Sequence, residues 1–498
     1  MNSRKHQLFK LSLILIIILE LLSLTGHLVN VVNQAVFLVL LLIVLILSLK
    51  KLEYGLYFIV AELIIGSQGY LFSFDVNGLH ISLRIGLFII IMSVWLVKLL
   101  KARKLELRKS NLFWFYAALF IAIIWGAING FLKDNSLQNL FFDANGYLFL
   151  LMALPFYAAI NNLDQIKRLL EVGAAAVVAS VIKVFITLYL FSHFSNELIV
   201  VMYKWIRDSR VGEITLVPGG FFRIFFQSQL YAIIAFFIIL AFLIRYIYPR
   251  IKGKIKIDRH QSVLLVFATV ALTSALISFS RSFWAAMMAA GGVLIIFVLI
   301  KYKNYFFSFL KSLVLFSALL FLSVGLMSLI IRFPVPKTDL SLSAFGLLQA
   351  RALALSGEAA VSSRWNLLPV LWEAITIHPV LGSGFGTTVT YQTADPRILA
   401  LSPSGDYTTY AFEWGYLDIW LKLGLIGLMI YLALLFKILI NGFKLLKNKA
   451  DHFETSLVLG LFLSLIFLIV THNFTPYLNH PLGISYLLLT ARIFDILA

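Results

Sequence analysis

Apolar runs of about 18 residues or more recur along the whole chain, each closed by a short polar or charged turn. No stretch alternates apolar and polar residues with the period of two that a half-buried strand requires. The pattern predicts helices over residues 8–25, 33–49, 54–72, 83–100, 112–131, 145–160, 171–192, 224–246, 262–279, 283–300, 310–331, 415–440, 455–472 and 482–497. About fourteen spans make an all-α polytopic membrane bundle, in which each helix satisfies its own backbone amides in lipid. A β-barrel is excluded by the same pattern. The first run follows Arg4, Lys5 and Lys10, yet no small-residue cleavage site comes after it, so it reads as a retained helix and not a signal peptide. The last run is the least regular, because Arg492 and Asp495 interrupt it.

One polar interruption is far longer than the rest. It divides the chain into residues 1–331, with eleven helices and a smaller outer loop at 193–223, a lobe at 332–414, and three further helices in 415–498. The turns containing Lys50-Lys51, Lys101 to Lys109, Lys167-Arg168, Arg245 to Arg259, Lys301 and Lys303, and Lys444 to Lys449 all fall on one side if the amino terminus is cytoplasmic. The 332–414 lobe then faces outward.

Composition narrows the classes. The 498 residues are 61% hydrophobic and 13% charged, which no water-soluble globule tolerates. The absence of cysteine removes disulfides, thiolate nucleophiles and cysteine metal sites. The net charge of +18 lies mostly in the short turns, where membrane orientation explains it, and no soluble basic domain suits a nucleic-acid partner.

The candidate chemistry gathers around the lobe. Ser362-Ser363 can cap a helix that begins with Arg364 and carries Trp365, Leu368, Leu371, Trp372 and Ile375 on one face, with a kink or late start at Pro369. Arginine in a first helical turn opposes the helix dipole, so a partner or an anionic ligand should compensate it; the alternative is a snorkelling interfacial side chain. Arg281, between Ser280 and Ser282, stands in a turn so short that it can hardly leave the interface, where a guanidinium serves a site or clamps loop carbonyls. Glu413, between Phe412 and Trp414, is a carboxylate partly desolvated by aromatics and so suited to proton transfer. Asp418 lies about 140° round the helix from it and should hold a neighbouring arginine. Arg223 closes the 193–223 loop after Pro218-Gly219-Gly220. Trp365, Tyr407, Tyr410 and Trp414 offer faces for sugars, although interfacial belts use the same residues. His378, His472 and His480 lack metal-ligand spacing and read as structural. The turn Gly382-Ser383-Gly384-Phe385-Gly386 lacks the lysine and the strand-to-helix setting of a nucleotide loop.

Together, Ser280-Arg281 between two spans, Arg364 followed by Trp372-Glu373-Ala374 and by His378-Pro379-Val380-Leu381-Gly382-Ser383-Gly384-Phe385-Gly386, and Tyr416-Leu417 ahead of Gly424-Leu425-Ile426-Gly427 resemble the bacterial O-antigen ligase and O-antigen polymerase superfamily. The resemblance covers about 270–430. It implies the helical membrane fold of lipid-linked glycosyltransferases, GT-C-like in type, in the bacterial inner membrane with the site on the extracytoplasmic face. It implies an undecaprenyl-diphosphate-linked glycan donor, a glycan or lipid-linked acceptor, membrane lipids around the chain, a polysaccharide chain-length regulator as a further partner, and no metal or other cofactor. Carried over residue by residue, Arg281 and Arg364 would bind the donor diphosphate. The ligase's catalytic histidine falls on Glu413, a departure that favours a repeat-unit polymerase over an O-antigen ligase or a protein O-oligosaccharyltransferase. A lipid-linked oligosaccharide flippase is the reading from another class, but transporters usually keep charge at the midplane.

Overall fold

The computed structural model describes residues 7–76, 79–195, 197–217, 219–247, 258–301, 305–337, 340–353, 359–400, 402–448 and 452–498. Each of the fourteen predicted runs contains a helix. Among the described residues, 12 helices are long and apolar enough to cross a membrane, so the fold is an all-α polytopic bundle. The difference from fourteen lies in the Leu52–Gly66 helix, of 15 residues, and the Pro481–Leu497 helix, of 17. Both fall short of the roughly 20 apolar residues of an ordinary span, and both are packed nearly all round. The first ends early because Ser67 takes φ 51°; its carbonyl accepts from Arg84 Nη2 at 2.6 Å. The run at 145–160 overlaps Leu137–Ala159, which starts eight residues earlier and which a 3₁₀ turn at Phe149–Met152 divides.

Strands occur where none was expected. Ser73–Val76 with Leu79–Ser82, Gly212–Val217 with Phe221–Phe226, and Val389–Gln392 with Asp406–Thr409 form three separate antiparallel hairpins, all in loops between spans. They are too short to generate a sequence period that stands out. Thr215 faces Arg223 in the second, which a left-handed Gly219-Gly220 turn closes.

Helix pairs bury their polar residues against each other. Glu62 meets Arg84 at 2.8 Å with both side chains inside the protein. Lys183 meets Glu20 at 2.7 Å, with the Trp205 ring 4.3 Å from its ammonium. A charge at such depth is tolerable only with a partner, and these pairs fix the packing of neighbouring helices.

The element that positions the rest is a broken helix. Gly415–Asn448 is interrupted at Gly424, which adopts φ 72° and ψ 178°. The break frees two carbonyls and two amides, which lipid cannot satisfy. The glycine-rich turn supplies partners for them: Ser383 and Gly384 amides donate to Leu421 and Lys422 carbonyls at 2.7 and 3.1 Å. In return, Leu425 and Ile426 amides donate to Pro379 and Val380 carbonyls at 2.9 and 3.4 Å. Part of the 332–414 segment therefore packs into the bundle. A Cβ at Gly384 would collide with the backbone of Gly130, so only glycine admits this approach.

Candidate active site

The helix bearing Arg364 runs from Ala359 to Ile377 without a late start, and Pro369 sits inside it. Ser362 and Ser363 are thus helical residues, not caps; Ser363 donates to the Tyr391 hydroxyl at 3.1 Å. Leu367, Leu371 and Ile375, one turn apart, are buried with Val389, Phe412 and Leu421 in a small core of their own. The predicted face was offset: Trp365 and Trp372 lie off this stripe and are exposed. Each meets a second tryptophan edge-on, Trp365 with Trp414 at 5.9 Å and Trp372 with Trp420 at 5.6 Å.

Burying Phe412 in that core, and tying Trp414 Nε1 to the Arg364 carbonyl at 3.0 Å, leaves the intervening Glu413 pointing away from the core. Its carboxylate accepts from Arg364 Nε in an ion pair. Arg364, the sixth residue of its helix, lies past the first turn, so the expected conflict with the helix dipole does not arise and Glu413 is its partner for another reason than capping. Glu413 is 51% exposed, so its aromatic neighbours do not desolvate it as expected; the guanidinium is what holds it.

The turn between Thr471 and His480 links this pair to the other arginines. Phe474 packs on Trp414 at 5.8 Å, and Thr475 Oγ1 lies 3.3 Å from Ser282 Oγ, the residue after Arg281. Arg281 opens the Arg281–Lys301 helix. Arg223 donates from Nε to the Ser278 carbonyl at 2.8 Å, which makes it a clamp on the same turn from which Arg281 emerges. Arg364, Glu413, Trp365 and Trp414 thus form one group, and Arg223 and Arg281 another, with the 473–477 turn between them. Tyr407 stands on the Asp406–Thr409 strand, edge-on to Tyr391 at 5.9 Å. Burial raises the Tyr391 and Tyr410 phenols above their ordinary range, with Glu413 adding to the first and Asp143 to the second. Tyr410 thus responds to a different charged group than Tyr391 does.

That charged group was not predicted. Lys422, 1% exposed, pairs with the buried Asp418 and with Asp143, whose side chain is 9% exposed. Asp418 accepts from Asn479 Nδ2 at 2.6 Å, so it holds a lysine and an amide and not the arginine expected. Asp143 also accepts from the Gly386 amide at 2.9 Å, and Lys133 donates to the Gly382 carbonyl at 3.1 Å. The glycine-rich turn is thereby fixed at both ends and is a structural plug. His472 is buried under Tyr416, accepting from the Leu478 amide, and His480 caps the final helix.

Residues 263–432 match the family model described as O-Antigen ligase. The match places this part of the chain in the O-antigen ligase and polymerase superfamily. No curated protein matches the chain. The family segment contains Arg281, Arg364, Glu413 and the Gly424 break, while Arg223, Asp143 and the 473–477 turn lie outside it. Membrane glycan transfer of the ligase or polymerase type is what the family supports.

Proposed function

We propose that this chain is an inverting membrane glycosyltransferase that moves a glycan from an undecaprenyl-diphosphate carrier to an acceptor sugar, acting as a surface-polysaccharide repeat-unit polymerase without a metal. Its site faces outward from the bacterial inner membrane. The observation that carries this reading is the Arg364–Glu413 pair, held at the lobe surface by Phe412 and Trp414 within the family segment. The absence of the family's histidine at Glu413 favours polymerase over ligase.

In the reaction, an acceptor hydroxyl attacks the anomeric carbon, the bond from that carbon to the carrier phosphate breaks, and the diphosphate leaves with the electron pair. Glu413 takes the hydroxyl proton. Its carboxylate is occupied by Arg364; a diphosphate that engages the guanidinium frees it to meet the acceptor hydroxyl. An arginine fork matches phosphate oxygens and remains charged at any relevant pH. Arg281 supplies the second fixed cation, and each such donor aimed at the leaving charge is worth on the order of 3 kcal/mol. Arg223 acts by holding the Ser278 turn, and the exposed Trp365 offers a face for a sugar.

The test is reconstitution with a synthetic undecaprenyl-diphosphate oligosaccharide and analysis of the product. A ladder of carrier-linked repeats is expected. An acceptor of increased mass without a ladder would instead establish a ligase, and unchanged donor would refute glycan transfer.

A further inference from the structure

A cavity lined by lysines lies at the other end of the bundle. The Phe113–Leu132 helix touches the glycine-rich turn near its carboxyl end, at Gly126 and Gly130, so its amino end, which follows the Glu106–Lys109 turn, lies about 20–25 Å away at 1.5 Å per residue. There a cavity of about 420 Å³ opens between the ends of the Asn30–Lys50 and Leu83–Ala102 helices and the 158–165 turn. Four lysines from three chain segments line it: Lys50, Lys51, Lys98 and Lys104. Trp95, also lining it, is 9% exposed.

The charge balance inside the cavity is what makes it a site. Its two carboxylates are already engaged by cations that do not line it: Glu53 by Arg168 at 2.9 Å, and Glu106 by Lys109 at 2.6 Å. Among the described residues, none of the four lysines has a carboxylate partner; Lys98 donates to the Ser48 carbonyl at 3.1 Å, and Lys51 sits over the Tyr54 ring. Four ammonium groups that line one cavity beside an apolar floor, without a carboxylate partner among the described residues, make it attractive to an anion. Leu49, Leu96 and Leu100, exposed next to these residues in sequence, supply the surface on which acyl chains lie.

We infer that this cavity binds the phosphate-bearing head group of an anionic membrane lipid, with room and charge for two phosphates. Head groups of this kind gain about 1 kcal/mol from each nearby lysine. The chemistry is shared by a free pyrophosphate, and the lipid is favoured because the apolar flank adjoins the cavity.

The test is native mass spectrometry of the full chain released from nanodiscs of zwitterionic lipid doped with cardiolipin, with pyrophosphate added in a parallel arm. Wild type should retain one tightly held cardiolipin. Replacing Lys50, Lys51, Lys98 and Lys104 with Gln should weaken it about fivefold per lysine removed. Replacing the exposed Lys101, Arg103, Lys444 and Lys447 instead should leave it in place. Lys98→Arg, which keeps the charge, should retain it even if the fourfold variant folds poorly. Equal retention by the lining and control variants, loss in Lys98→Arg, or binding of pyrophosphate with no preference for cardiolipin would each overturn the assignment.

Discussion

Two ion-pair sites stand on either side of the lobe's attachment to the bundle, and they behave oppositely. Arg364 and Glu413 are 34% and 51% exposed, whereas Lys422 and its two aspartates are almost sealed. An exposed pair contributes little stability, about 0–1 kcal/mol, and so can be exchanged for another anion. A buried group cannot be exchanged, because removing one partner strands the other charge. The first arrangement suits a site that must open to a substrate, and the second suits a seam that must stay closed while it does.

The contrast is sharpest for Lys422→Met, which strands Asp143 and Asp418 and should cost about 3–5 kcal/mol of stability, read as a lower unfolding temperature in detergent. Arg364→Ala should leave that temperature unchanged within a degree or two and lower turnover about 10²–10³-fold. If Arg364→Ala unfolds the protein and Lys422→Met does not, the assignment of roles is reversed. Gly424→Ala tests the seam without removing a charge. Alanine must adopt φ 72° and press on the Val380 carbonyl, a cost of about 1–3 kcal/mol in the same melting experiment. The smallest effect is expected for Trp414→Phe, which keeps the aromatic packing and deletes the bond to the Arg364 carbonyl. About 1 kcal/mol of lobe order should be lost, seen as faster amide exchange in the Ala359–Ile377 helix.

Much of this was legible from residue order. Apolar length alone located each of the 12 long apolar helices among the described residues, since a lipid-facing helix has no other way to satisfy its backbone. It could not say which runs are short inner helices, because burial in protein and burial in lipid select the same side chains. Arg364 was readable as chemistry because an arginine at an expected helix start calls for a partner, and Glu413 because it is a charge set among aromatics at a span boundary. Their pairing was not, since 49 residues and a hairpin separate them. Asp418 and Lys422 were visible as an i, i+4 pair, but their third member, Asp143, is 279 residues from Lys422. The glycine-rich turn was legible only as not being a nucleotide loop: its glycines serve close packing against Gly130 and Gly424, a role that only the folded chain displays.

The measurement that bears most directly on the central claim is turnover of Glu413→Gln, reconstituted with the synthetic undecaprenyl-diphosphate oligosaccharide. The variant keeps the shape of the side chain and loses only its ability to take a proton. A fall of about 10²–10⁴ in rate, with donor still bound, is the predicted result. Wild-type turnover by a properly inserted Glu413→Gln protein would contradict it.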